Sequence, residues 1–313
     1  VGVRLLDAPT ARADDPRARV YIVDQVKPGA RFTRHVEVAN GDPEPMDVLV
    51  YPAAAHIADG DFSIDDRSAP GPIPQWVTVS PTHLHLAPGE RAPVTVDVAV
   101  PSDAPAGEVY GGIVAERPAA ATGQGVRVNL RAAIRVYLSV GPGGEPASDF
   151  VINSLTAARD RTGRPYVLAQ VHNTGGRALD LSGTLRLTDG PGGLSAGPFD
   201  ARLGTTLGIG QTEPVTVVLD KALPPGPWLA TLDLRSGLLR RRAKATITFP
   251  VQVGSQAAPV KATAVPLYKD RGVVSTVAAF LILLVLAALL VLWLIAWRRR
   301  REEREERPVG SRT

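Results

Sequence analysis

The stretch Val94-Thr95-Val96-Asp97-Val98-Ala99-Val100 places valine at every second position. A period of two belongs to a strand with one buried and one wet face. Turn signals bound it, Leu86-Ala87-Pro88-Gly89 before and Pro101 through Gly107 after. Upstream, the alternation runs through Val20-Tyr21-Ile22-Val23, Phe32, His35-Val36-Glu37-Val38 and Asp47-Val48-Leu49-Val50-Tyr51. It breaks at Pro28-Gly29 and Asn40-Gly41-Asp42-Pro43, then resumes at Trp76-Val77-Thr78-Val79 and His83-Leu84-His85-Leu86. Tyr110 to Ala115 and Val126 to Val140 follow, and Gly141 to Pro146 reads as a linker. No amphipathic helix of useful length interrupts the series.

Short strands joined by tight turns predict an immunoglobulin-like β-sandwich over 19–140 and a linker at 141–148. Ahead of it, 1–18 is an N-terminal segment whose apolar patch, Val3 to Leu6, can serve as an edge strand. A second sandwich is predicted over 149–253, because the pattern repeats. Val36-Glu37-Val38-Ala39-Asn40-Gly41 has a counterpart in Ala169-Gln170-Val171-His172-Asn173-Thr174-Gly175. Leu86 to Gly89 leading into Val94 to Val100 is echoed by Leu207 to Gly210 leading into Pro214 to Leu219. Each unit then reaches a proline-rich corner, Pro101 to Gly107 and Leu223 to Pro227. Residues 254–271, with Pro259 and Pro266, read as a stalk.

Val273 to Trp297 is apolar apart from Ser275 and Thr276. About 25 helical residues reach about 37 Å, enough for a hydrocarbon core of about 30 Å, so a transmembrane helix is predicted over 272–297. Trp293 and Trp297 suit the headgroup level, and Arg298-Arg299-Arg300-Arg301 open a basic tail over 298–313. Basic residues beside a span stay cytoplasmic, which places the preceding chain outside a plasma membrane. The fold class read from the sequence is therefore all-β, two tandem immunoglobulin-like β-sandwiches followed by a single transmembrane α-helix.

The formal charge of +4 invites a nucleic-acid reading. The tail carries seven of the 35 basic and four of the 31 acidic residues, leaving 28 against 27 elsewhere. A nearly neutral ectodomain lacks the clustered basic face that phosphates require, so no nucleic-acid partner is expected. Zero cysteines exclude disulfides, thiol nucleophiles and thiolate metal sites. An animal surface protein of this size would usually carry disulfides, which favours a bacterial one. No charged n-region and apolar h-region follow Val1, so a signal peptide is expected to have been removed or never included.

Gly193-Leu194-Ser195-Ala196-Gly197 matches the nucleophile-elbow string, but the flanking Gly190-Pro191-Gly192 and Pro198 favour a turn over the helix an elbow needs. His83 and His85 share a strand face without a third ligand nearby, and Asp59, Asp61, Asp65 and Asp66 lack the EF-hand spacing. No catalytic residue, cofactor or metal site is therefore assigned. Ligand contact falls to Arg240, Arg241 and Arg242 as a grip for anions, and to Trp76 and Trp228 as stacking faces, with core packing the alternative for both rings.

Several stretches resemble the WxL-protein-interacting family of bacterial surface proteins. They are Tyr21-Ile22-Val23-Asp24 with Lys27-Pro28-Gly29, Val38-Ala39-Asn40, Tyr51 to Ala55, Gly60-Asp61-Phe62, and Val100 to Gly107 with Tyr110-Gly111-Gly112-Ile113. Asn173 to Gly176 and Leu185 to Thr188 add to it in the second unit. The resemblance implies a peptidoglycan-binding domain, then a host-binding domain and a membrane anchor. The expected function is a non-enzymatic, membrane-anchored protein that contacts cell wall polymer with one domain and a surface or secreted protein with the other. A structural stalk, or an accessory subunit of a membrane complex, is the alternative.

Overall fold

Strands form here because valine, isoleucine, threonine and tyrosine recur at alternate positions, where branched side chains pack on a pleated surface. The computed structural model describes residues 1–9, 12, 14–118, 129–201, 204–266 and 289. Ten strands come from the first part of the chain: β1 (Gly2–Leu5), β2 (Ile22–Val26), β3 (Arg31–Ala39), β4 (Met46–Ala58), β5 (Asp61–Ile64), β6 (Val77–Ser80), β7 (His83–Leu86), β8 (Arg91–Ala99), β9 (Gly107–Arg117) and β10 (Leu130–Val140). They make two facing sheets, ordered β1-β3-β8-β6 and β2-β10-β9-β4-β5, with β7 also on β4. Val94, Val96 and Val98 of β8 point into the core between them, against Ile113, Val136 and Leu138. The antiparallel pairing of β8 with β3 matches Val94 to Val36 and Val96 to Arg34.

One short helix, α1 (Pro72–Trp76), enters through a proline in its first turn and stops at Val77, which is already extended. Its Ile73 presses onto Gly111 of β9, where a Cβ would lie 2.5 Å from the isoleucine's own. Only glycine admits that approach. Trp76, at the end of α1, is 8% exposed and belongs to the first core.

The second part gives β11 (Phe150–Arg159), β12 (Pro165–Asn173), β13 (Leu179–Asp180), β14 (Ser182–Thr188), β15 (Ala196–Asp200), β16 (Thr206–Leu207), β17 (Thr212–Val218), β18 (Trp228–Ser236), β19 (Leu239–Ile247), β20 (Val260–Lys261) and β21 (Thr263–Ala264). Two sheets, β17-β12-β11-β20 and β15-β14-β18-β19-β21, enclose a second core, and β13 pairs with β16 beside them. Val167, Ala169 and Val171 of β12 meet Leu185, Leu187, Leu232 and Leu234 there. β1 lies inside the predicted N-terminal segment, and β20 and β21 lie inside the predicted stalk.

The chain divides into two compact units, Val1–Ala264 and Val265–Thr313. The predicted fold class needs correction at its last element. Among the described residues the one α-helix is the five-residue α1, and none is long and apolar enough to cross a membrane. The stretch read as a transmembrane helix lies outside the described residues except for Leu289, as do Trp293, Trp297, Arg298, Arg299, Arg300 and Arg301.

Candidate functional site

On β10, Ile134, Val136, Leu138 and Val140 face the first core. Period two therefore turns Arg131, Arg135 and Tyr137 to the outer face of the sheet. Tyr137 is nonetheless 1% exposed, because the second sandwich covers that end of the face. Its ring lies 5.9 Å from Tyr21, 5.1 Å from Phe62 and 6.0 Å from Tyr110, in tilted and edge-on arrangements that aromatic quadrupoles favour.

The cover is fastened by Asp180 of β13. Asp180 Oδ1 accepts hydrogen bonds from the Tyr137 hydroxyl at 2.8 Å, Arg135 Nη1 at 2.9 Å and the Thr206 hydroxyl at 2.9 Å. Its Oδ2 accepts Arg17 Nε at 2.8 Å. Arg17 also donates through Nη1 to the carbonyl of Ala178 at 3.0 Å, and its guanidinium stands 4.7 Å above the Tyr137 ring. Glu108 of β9 closes the other side, accepting the Ala178 N–H at 2.6 Å and the Tyr110 hydroxyl at 2.8 Å. A backbone bond from the Thr206 N–H to the Gly60 carbonyl and a side-chain bond from Gln211 Nε2 to the Ile57 carbonyl complete the joint.

Burial works against the Arg17 charge, yet Asp180, then Tyr137 and Glu108, outweigh it and hold the guanidinium above its ordinary value. Glu108 is pushed up by burial, with the Ala178 N–H, Tyr110 and Arg17 pulling the other way. Arg177 is pushed down to about 10, first by burial and then by Arg12 and Arg17. The joint is thus dense in guanidinium charge.

A cleft of about 340 Å³ opens at this joint, lined among others by Arg17, Tyr21, Arg135, Asp180, Leu181 and Arg235. Three guanidiniums face one carboxylate, and that carboxylate is already saturated with donors. Arg17 Nη2 is buried and has no hydrogen-bond partner among the described residues. Buried donors are normally satisfied, so this nitrogen is an exception at the joint.

The residues singled out from sequence lie elsewhere. Trp228 is 1% exposed in the second core and donates Nε1 to the Pro224 carbonyl at 3.0 Å. With Trp76 also buried, neither indole offers a face to a ligand, a correction to their reading as ligand contacts. Arg240 and Arg242 both bind Asp233 of the neighbouring β18, at 2.7 and 3.0 Å, and Arg241 reaches Asp149 at 2.7 Å. Alternation splits that triplet between two partners. Ser195 sits exposed between a 3₁₀ turn and β15, with no helix behind it. His85 pairs with Asp47 and His56 with Asp65, and no group of three metal-ligating side chains occurs among the described residues.

Sequence reasoning missed Arg17, Arg135, Tyr137 and Asp180. The available signal was Tyr137 itself, an aromatic ring out of phase with the core valines of its own strand.

No family model matches the chain, and no curated protein matches it. Solved structures are similar to the chain at low identity. The CupB2 chaperone of Pseudomonas aeruginosa is 13% identical over 72% of this chain and 97% of its own, with a TM-score of 0.38. The Salmonella enterica SafA pilin in complex with the SafB chaperone gives 12%, 78%, 94% and 0.37, and the Escherichia coli chaperone DraB 12%, 77%, 94% and 0.36. At such scores the likeness carries no argument about a ligand. The expectation of a WxL-protein-interacting family is corrected here: no family model matches the chain, and the solved structures reported above are described as chaperones. The membrane-anchored wall-binding function, the bilayer, wall-polymer and surface-protein partners, the stalk or accessory-subunit alternative, and the plasma-membrane placement fall with it.

Proposed function

We propose that this chain is a non-catalytic recognition protein that holds a carboxylate of a partner polypeptide in the cleft where its two β-sandwiches meet. Residues 2–140 and 150–264 are the two arms, and the joint around Asp180 sets their mutual orientation. The observation that carries the reading is the cleft wall, where Arg17, Arg135 and Arg235 meet and the one carboxylate beside them, Asp180, is taken up by its own donors. A guanidinium fork matches a carboxylate in two bonds. The non-catalytic part rests on the joint's own acids: both oxygens of Asp180 accept structural donors, and Glu108 Oε2 accepts two.

Peptide arrays rich in Asp and Glu, printed beside the same sequences with Asn and Gln, test this with the full chain as probe. Binding to the acidic set is expected to fall at least about tenfold in Arg17→Gln, a loss of about 1.4 kcal/mol. Arg235→Gln should weaken it as well. Among the described residues the Arg235 side chain reaches the Ser182 hydroxyl alone, at 3.3 Å, and its loss leaves the joint intact. Equal retention of both sets, or acidic binding unchanged in both variants, would overturn the reading.

A further inference from the structure

The outer face of the same sheet carries a second depression, at the end away from the joint. It measures about 770 Å³ and is lined by Tyr51 of β4, Glu116 of β9, Arg131 of β10, Asn129, and Arg67 and Ser68 of the turn after β5, with Asp66 on its rim. Tyr51 is only 5% exposed although it points away from the core. Two guanidiniums roof its ring, Arg67 at 4.9 Å and Arg131 at 6.0 Å from the centroid.

The acceptors on the floor are used up. Glu116 Oε2 takes the Tyr51 hydroxyl, and Oε1 takes Asn129 Nδ2 at 2.9 Å. Burial and that bond to Glu116 raise the Tyr51 hydroxyl to about 12, so it remains a donor committed to Glu116. Arg131 is anchored by donation to the Asp65 carbonyl at 3.0 Å and stands 3.8 Å from Glu116. Arg67 differs from both. Its guanidinium stands over the Tyr51 ring and makes no hydrogen bond or ion pair with any described residue. A guanidinium held over a ring by cation–π attraction still has N–H donors to offer a planar or tetrahedral oxyanion, and the ring limits the freedom it would lose on binding.

Six of the seven lining residues are polar or charged, so the occupant must itself be hydrophilic around its charge. A depression of this size takes a small organic molecule rather than a lone ion. We propose that the Tyr51 depression binds a sugar that bears an oxyanion, with Arg67 taking the charged group and Ser68, Asp66 and Arg131 meeting hydroxyls. A carboxylate and a phosphate satisfy Arg67 by the same chemistry. Asp66 lies exposed at the rim, where water screens its repulsion of either.

Calorimetric titration of the full chain with glucuronate, glucose 6-phosphate and glucose tests the site. At least one of the two anionic sugars is expected to bind at least about tenfold more tightly than glucose, and the stronger one identifies the oxyanion. Arg67→Gln should abolish that preference. Arg67 is exposed and outside both cores, so this variant keeps its fold. Tyr51→Leu should weaken binding by removing the platform, and the remote Lys221→Gln should not change it. Failure of both anionic sugars to bind, equal binding of glucose, or an unchanged preference in Arg67→Gln would each overturn the proposal.

Discussion

Asn40 and Asn173 are one device used twice. Asn40 Nδ2 donates to the carbonyls of Glu44, Leu86 and Ala87 at 2.8, 3.0 and 3.1 Å, while Oδ1 accepts the Asp42 N–H at 2.8 Å. Asn173 Nδ2 donates to Arg177, Leu207 and Gly208 at 2.8, 3.3 and 3.0 Å, and its Oδ1 accepts the Gly175 N–H at 2.9 Å. Both are almost fully buried. Each pins the turn after its own strand to the turn that opens a later one. Replacing either by alanine leaves buried carbonyls without donors, at a cost of about 1–3 kcal/mol. Urea unfolding should show losses of similar size for Asn40→Ala and Asn173→Ala.

Gly190 lies against the Trp228 ring so closely that a Cβ would stand 2.1 Å from Cζ3. Its φ of −77° suits any residue, so space alone excludes a side chain. Gly190→Ala should cost about 1–3 kcal/mol by overpacking, visible as a lower denaturant midpoint with unchanged slope.

Asp180 neutralises Arg17 and Arg135 together. Asp180→Asn leaves two largely buried guanidiniums without their countercharge, and about 3 kcal/mol is the expected loss. The cores are untouched, so the damage should concentrate at the joint. Hydrogen exchange should quicken in Thr205–Leu207 and at Ala178 while the central strands β8 and β12 keep their protection.

Burial holds the Glu108 carboxyl above its ordinary value of 4.5 in the fold. The folded state then holds a proton that the unfolded chain has released, so stability falls as pH rises from about 4.5 through the folded value. Asp24, also raised by burial, acts with the same sign from 3.8 upward. Glu108→Gln should remove its own share of that fall. The difference in unfolding free energy between variant and wild type, followed from pH 4 to 7, should therefore change in the variant's favour.

Much of the fold was legible because alternation is a local property. Val94 to Val100 can be read as a strand from valine spacing alone, and β8 buries those valines. The Asn-centred turns were legible for the same reason, since Asn40 and Asn173 end their strands in matching strings. The joint was not. Alternation tells that Arg135 and Tyr137 leave the core face, but what covers them comes from Asp180, 43 positions beyond Tyr137. Arg17 was hidden in a segment whose Ala, Arg, Asp and Pro content resembles solvated chain, and no spacing relates it to a partner 163 residues away. The arginine triplet misled in the opposite direction. Adjacency in sequence suggested one basic patch, while the strand pleat sends Arg241 to a different partner from Arg240 and Arg242.

The end of the second sandwich has a mechanical consequence. β20 joins β11 through Ser154–Lys261 and Leu155–Val260, and β21 joins β19 through Ala243–Ala264 and Lys244–Thr263. One short segment thereby stitches the two sheets together with two ladder pairs on each side. With two ladder pairs on each side, β20 and β21 cost less to detach than the long strands β11 and β19, so local opening at this segment leaves both hydrophobic cores closed.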